Sequence, residues 1–217
     1  MVVRGIGGRV AQGQVLAVLG RNGVGKTTLV RALAGFLPLT GGRVTWQGRD
    51  LLGIEPHRRP GLGMAYVPQE NVVFGELTVS DNLWLHLSER DRVRNRERYA
   101  DAFAAFPLLT QRLAQRAGSL SGGERKLLSF ARTLGLAADL TLMDEPTEGV
   151  QPENIDRMAE LVRKRCAAGA SFIVVEQNLA FIEAIADDVV VLDHGEVVAE
   201  GAYAALGRDA IEMHLVV

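Results

Sequence analysis

The stretch with the most specific chemistry is Gly20-Arg21-Asn22-Gly23-Val24-Gly25-Lys26-Thr27-Thr28. Its spacing is that of a loop that wraps the phosphates of a nucleotide. Glycines let the backbone curl around an anion with no Cβ in the way. The amides then point inward, and the helix that follows adds the positive end of its dipole. Lys26 is expected to reach the β- and γ-phosphates, and the Thr27 hydroxyl to bind Mg²⁺. Such a loop does not name a reaction, because kinases, GTPases and many ATPases share it.

A carboxylate pair narrows the choice. The apolar run Leu140-Thr141-Leu142-Met143 ends in Asp144-Glu145. A carboxylate at a strand end beside a phosphate loop is placed to help hold Mg²⁺. Glu145, next to it, is expected to polarise the attacking water as a general base. Read alone, Asp144-Glu145 before Pro146 would be an ordinary turn. The buried strand and the upstream loop argue against that.

The elements that must position these groups can be read from apolar patterning. Val15 to Leu19, Met64 to Val67, Leu140 to Met143 and Phe172 to Val175 are short apolar runs, the texture of strands covered on both faces. Thr28 to Ala34 reads as a helix stopped near Gly35 and Pro38. Arg43 to Gln47 alternates, and Gly48-Arg49-Asp50 is expected to turn it into an antiparallel ribbon. Residues from about Val79 to Ala117 look mostly helical. A long helix follows Ser121-Gly122-Gly123, with Leu127, Leu128, Ala131 and Leu134 on one face. Pro152 suits a first helical position, and Ile155, Ala159, Val162 and Cys166 form a stripe closed by Gly169. Val189 to Leu192, Asp193-His194-Gly195 and Val197 to Ala199 predict a terminal hairpin. Strands alternating with helices define an α/β core, with a helical insertion between roughly 70 and 135.

Composition excludes several classes. Formal net charge is −2, from 24 basic and 26 acidic side chains, which lacks the basic footprint of a nucleic-acid binder. In the charge-dense run Glu89 to Arg98 the acids offset the arginines, so it reads as a solvated helix face rather than an RNA contact. The single cysteine, Cys166, rules out an internal disulfide framework and fits a packed helix stripe. No apolar run approaches a membrane span, and the first residues lack the pattern of a secretion signal.

Leu120-Ser121-Gly122-Gly123-Glu124 lies between the phosphate loop and Asp144-Glu145. It closely resembles the Leu-Ser-Gly-Gly-Gln signature of ABC-transporter ATPases, in that family's order. The resemblance covers nearly the whole chain. It implies an α/β phosphate-loop NTPase fold, with a RecA-like core and an antiparallel β subdomain (1–69 and 136–217) and a helical subdomain (about 70–135). It implies ATP and Mg²⁺ as ligands. Gln69 stands in the place of the family's Q-loop, sensing Mg²⁺ and the attacking water. Ser121, Gly122, Gly123 and Glu124 would contact ATP held by a second subunit, in a head-to-tail homodimer or a heterodimer with a related ATPase. Permease subunits would cross the membrane, and a periplasmic or extracellular binding protein would deliver solute. The chain itself would lie on the cytoplasmic face of a bacterial inner membrane. Glu145-Pro146-Thr147-Glu148-Gly149-Val150-Gln151-Pro152 and Val175-Glu176-Gln177-Asn178 are similar to importers of branched-chain amino acids, and secondarily of urea.

The chain departs from the family pattern at three places. Gln177 occupies the switch-histidine position, and an amide can hydrogen-bond but cannot take up a proton. His57, His86, His194 and His214 offer no replacement by context. Gln151 stands where many relatives have an aspartate. No aromatic precedes Phe36, so the usual adenine platform is expected to be missing, with nucleotide still bound. Two other readings compete. A soluble ABC protein of translation or repair normally has two cassettes or a coiled-coil insertion. A low-turnover nucleotide-binding partner is disfavoured by Glu145.

Overall fold

The structure is a computed structural model, and it describes residues 3–70, 73–86 and 96–215. The charge-dense run from Glu89 falls outside the described residues as far as 95. Its remainder belongs to the 3-10 turn Arg96–Tyr99.

The first strand, β1 (Val15–Gly20), is buried along its whole length. Successive side chains of a strand point to opposite faces. Val15, Ala17 and Leu19 therefore enter one apolar cluster, and Leu16 and Val18 enter another on the far side of the sheet. A strand buried on both faces must be apolar at every position, which is why β1 shows no alternation.

Next come α1 (Lys26–Leu33), β2 (Thr45–Trp46), β3 (Arg49–Asp50) and β4 (Met64–Val67). The helical region contains α2 (Val79–Trp84), α3 (Ala100–Ala105), α4 (Pro107–Gln111) and α5 (Gly122–Gly135). The core resumes with β5 (Leu140–Asp144), α6 (Pro152–Ala167), β6 (Ser171–Val175) and α7 (Leu179–Ile185). It ends with β7 (Asp188–Asp193), β8 (Glu196–Ala202), α8 (Tyr203–Leu206) and α9 (Arg208–Leu215).

Among the described residues, the main sheet has six strands in the order β4-β5-β6-β1-β7-β8. All neighbours run parallel except β7 and β8. This order puts the end of β1, which feeds the phosphate loop, close to the ends of β5 and β6, which carry Asp144-Glu145 and Glu176-Gln177. Ligand-binding groups gather at the carboxyl ends of strands in such sheets.

Two expectations need correction. The ribbon turns at Gln47-Gly48, both with positive φ (48° and 75°), so Arg49 and Asp50 form the returning strand instead of the turn. The hairpin is real but not terminal, since α8 and α9 follow it. Its own turn uses His194 and Gly195 at φ 45° and 82°. The described residues between 79 and 117 form short helices, in keeping with a mostly helical region, and the sequence reading placed no helix at α7. The signature helix α5 is buried nearly all round, as are Lys126, Ser129 and Thr133 within it. Gly135 in its last turn leaves room for Tyr99. A Cβ there would lie 2.1 Å from the Tyr99 ring.

Candidate active site

The phosphate loop leads into α1 through Gly25, whose φ of 109° lies in the left-handed region open to glycine. Gly25 has no side chain to cap the helix, so no side-chain bond covers the first amides of α1. That is the arrangement an anion needs. Lys26 is buried, and its Nζ donates to the carbonyls of Gly20 at 2.7 Å and Arg21 at 3.0 Å. Burial lowers its pKa, opposed by the carboxylates of Glu145 and Asp144. Val24 packs its side chain into the apolar cluster beneath the loop, so only its backbone is available to a ligand.

Thr27 Oγ1 donates to Asp144 Oδ1 at 3.1 Å, and Tyr66 OH donates to Asp144 Oδ2 at 3.4 Å. Burial pushes the Asp144 carboxyl above its ordinary range, with the Thr27 bond acting against it. A buried carboxylate facing a hydroxyl at the end of a strand is a donor set that suits a hard divalent cation. The residues present therefore fit Mg²⁺.

Glu145 lies at the centre of a polar web. Its φ is 46°, unusual for a residue with a side chain. Gln69 Nε2 donates to its Oε2 at 2.8 Å, and Gln177 Nε2 donates to its Oε1 at 2.9 Å. The same Oε1 is 3.8 Å from Lys26 Nζ. Gln177 Nε2 also donates to Asn22 Oδ1 at 2.6 Å, tying the phosphate loop to the end of β6. Two side-chain webs thus meet at the neighbouring residues Asp144 and Glu145, one holding Thr27 and Tyr66, the other Asn22, Lys26, Gln69 and Gln177.

Sequence reasoning missed Glu176. It is buried, and its Oε1 accepts from Thr147 N at 2.9 Å and from the Thr147 hydroxyl. Its Oε2 accepts from Gln177 N at 2.7 Å and Asn178 N at 3.1 Å. Four donors justify the burial of one charge. The carboxylate holds the loop after Glu145 against the turn that presents Gln177. A glutamate at the end of an apolar strand was the available signal.

Ser121 to Glu124 open on a different cleft, of about 820 Å³, with Gln69, Glu148 and Gln151 also on its walls. None of the described phosphate-loop residues lines it. Ser121 caps α5, accepting from Glu124 N at 3.2 Å, while Glu124 Oε2 accepts from Ser121 N at 2.9 Å. The Glu124 carboxylate is also paired with Arg112 at 3.0 Å, so it is committed to its own chain. A second cleft, about 750 Å³, runs from Thr27 and Asp144 past Tyr66 and Gln69 to Phe36, which is 52% exposed.

The remaining singled-out residues lie elsewhere. His57 pairs with Glu55, His194 sits in the hairpin turn, His86 is beside Tyr99, and His214 is exposed on α9. Burial pushes the Cys166 thiol up to about 11, as expected of a packed residue and not of a nucleophile.

A strand, a glycine-rich loop and a helix, with a lysine, a hydroxyl and a paired carboxylate around one point, define a phosphate-loop nucleotide hydrolase. The comparisons with known proteins narrow the class. The pattern of the ABC transporter family matches residues 3–148. The chain belongs to that family and is an ABC-type ATPase that binds ATP. It is 34% identical over 193 residues to the probable branched-chain amino acid transport ATP-binding protein LivF of Archaeoglobus fulgidus, covering 88% of this chain and 82% of that one. It is 32% identical over 197 residues to the high-affinity branched-chain amino acid transport ATP-binding protein BraG of Pseudomonas aeruginosa (91% and 84% covered). The lipopolysaccharide export ATP-binding protein LptB of Acidithiobacillus ferridurans is 31% identical over 204 residues (93% and 84%). Among solved structures, an ATP-binding subunit of an ABC transporter superposes with a TM-score of 0.82 at 25% identity, covering 98% of this chain and 88% of that one. A nucleotide-free ATP-binding cassette gives 0.79 at 27% identity over the same shares. Among the described residues, no helix is long and apolar enough to cross a membrane.

Proposed function

We propose that this chain is the ATP-hydrolysing subunit of a membrane importer for branched-chain amino acids. The observation that carries the hydrolytic half is Glu145, held between Gln69 and Gln177 within 3.8 Å of the Lys26 ammonium. Lys26 and the open amides of α1 bind the phosphates of ATP. Thr27 and Asp144 would hold Mg²⁺, which would neutralise phosphate charge. Glu145 accepts the proton of the attacking water. Gln69 and Gln177 fix its two oxygens so that one lone pair faces the water. Gln177 does by hydrogen bonding alone what an imidazole would do with a proton.

The separation of the signature cleft from the phosphate loop of the same chain supports a composite site. Ser121, Gly122 and Gly123 close over ATP held by a second ATPase subunit, either a copy of this chain or a relative. The cleft from Asp144 to Phe36 suits a permease segment, because an exposed aromatic at its mouth leads inward to the Mg²⁺ ligands. The chain then lies on the cytoplasmic face of the membrane, and a binding protein outside supplies the solute. The amino-acid assignment is supported by the likeness to LivF and BraG and by Glu148-Gly149-Val150-Gln151.

The test is Glu145→Gln. A positioned general base contributes about 100-fold or more, so turnover falls at least that far while ATP binding persists and the ATP-bound dimer accumulates. A variant that hydrolyses ATP at the normal rate would sink the assignment. For the solute, ATP-driven uptake of leucine and of urea is measured in vesicles carrying the co-purified permease. Uptake of urea but not leucine reassigns the substrate.

A further inference from the structure

Lys126 is a buried ammonium with no part in the hydrolytic chemistry above. It lies in the second turn of α5 and is 8% exposed. Its Nζ donates to the backbone carbonyl of Glu145 at 3.0 Å and lies 3.6 Å from the Glu148 carboxylate. A buried charge is tolerated only where it is paired and hydrogen-bonded, and both partners come from one short loop. A second contact joins the same two segments. A Cβ on Gly123 would lie 2.5 Å from the Gly149 carbonyl, so the backbone of the helix start rests directly on the backbone of that loop.

Between these contacts stands Glu145 in its left-handed conformation, which costs on the order of 1 kcal/mol for a residue with a side chain. It persists because both sides of the residue are held. Its N–H donates to Val175 O at 2.9 Å, and its carbonyl accepts from Lys126. The first of these is an anchor in the core. The second is an anchor on the helix whose first residues are the signature.

We propose that Lys126 is a positioning residue that couples the signature end of α5 to Glu145 of the same chain. Engagement of Ser121 to Gly123 on the partner subunit's nucleotide then sets the carboxylate that works on this chain's own nucleotide. The coupling rests on the composite site proposed above. It makes each chain's hydrolysis depend on occupancy of the other site, through a contact internal to the chain.

The experiment compares Lys126→Met, Lys126→Arg and Glu145→Gln over a range of ATP concentrations. Methionine keeps the length and removes the donor. Lys126→Met is expected to lower kcat about tenfold with KM for ATP changed less than about twofold, the signature of lost positioning without lost binding. Cooperativity in ATP concentration is lost with it. Lys126→Arg, which still donates to the Glu145 carbonyl, recovers most of both. The thermal midpoint of Lys126→Met stays near that of the wild type. If the single variant folds poorly because Glu148 loses its nearby ammonium and keeps only the Gln69 amide as a side-chain donor, the pair Lys126→Met with Glu148→Gln restores the midpoint but not kcat. Unchanged kcat and cooperativity in Lys126→Met overturn the coupling, as does a loss that vanishes when stability is restored. Where turnover depends on Glu145 and not on Lys126, only the coupling fails. Where turnover is indifferent to Glu145, the proposed function fails and takes the coupling with it.

Discussion

At the scale of single residues, the site is notable for what Gln177 does without a titratable group. Its amide bridges Glu145 and Asn22 at 2.9 and 2.6 Å, so it spans from the end of β6 to the phosphate loop. Because an amide does not change charge, no ionisation at 177 shapes the rate. Gln177→His is expected to retain turnover and to add an inflection near pH 6.5, the ordinary imidazole range. A pH–rate profile identical to that of the wild type would show that position 177 does not touch the reaction. Lys26, Thr27, Asp144 and Glu145 were legible in the sequence because their motifs are contiguous and chemically specific. Glu176, Tyr66 and Lys126 were not, because each acts through partners distant in the chain. Glu176 reaches Thr147, and Tyr66 reaches Asp144. A lone buried Lys in α5 looks, in sequence, like a solvated one.

At the scale of elements, the parallel strands were readable because burial on both faces makes them apolar throughout. The turns were harder. Gln47 adopts a left-handed conformation that glycine or asparagine usually signals, so the ribbon turn was read one residue late. The helix α7 has seven residues, capped by Asn178 accepting from Phe181 N at 3.2 Å, too short for periodicity to reveal. The helical region depends on the close approach of α5 and Tyr99. Alanine normally favours a helix over glycine by about 1 kcal/mol, but at Gly135 the added methyl overlaps the Tyr99 ring. Gly135→Ala is therefore expected to destabilise the fold by about 1–3 kcal/mol, the usual cost of overpacking. Chemical denaturation checks it, and a variant as stable as the wild type would mean that Tyr99 moves aside freely.

At the scale of the whole molecule, the signature residues Ser121 to Glu124 and the phosphate-loop residue Thr27 line different clefts, which the proposed head-to-tail assembly treats as two halves of one site. A mixing experiment follows. Lys26→Ala disables the phosphate half, and Ser121→Arg disables the signature half. Mixed, the two variants form one dimer with a single intact composite site. That mixture is expected to trap one nucleotide per dimer, whereas neither variant alone traps any. No trapping in the mixture would count against head-to-tail assembly. The Glu176 web bears on a different question, that of evolutionary change. Its carboxylate grips the main-chain N–H groups of Gln177 and Asn178, whatever side chains those residues carry. The peptide at 177 is thus held in place independently of its side chain, which makes 177 an exchangeable part. Exchange of glutamine for histidine at 177 is therefore expected to leave the loop around Glu145 in place, because the mount that holds the peptide does not depend on the side chain it carries.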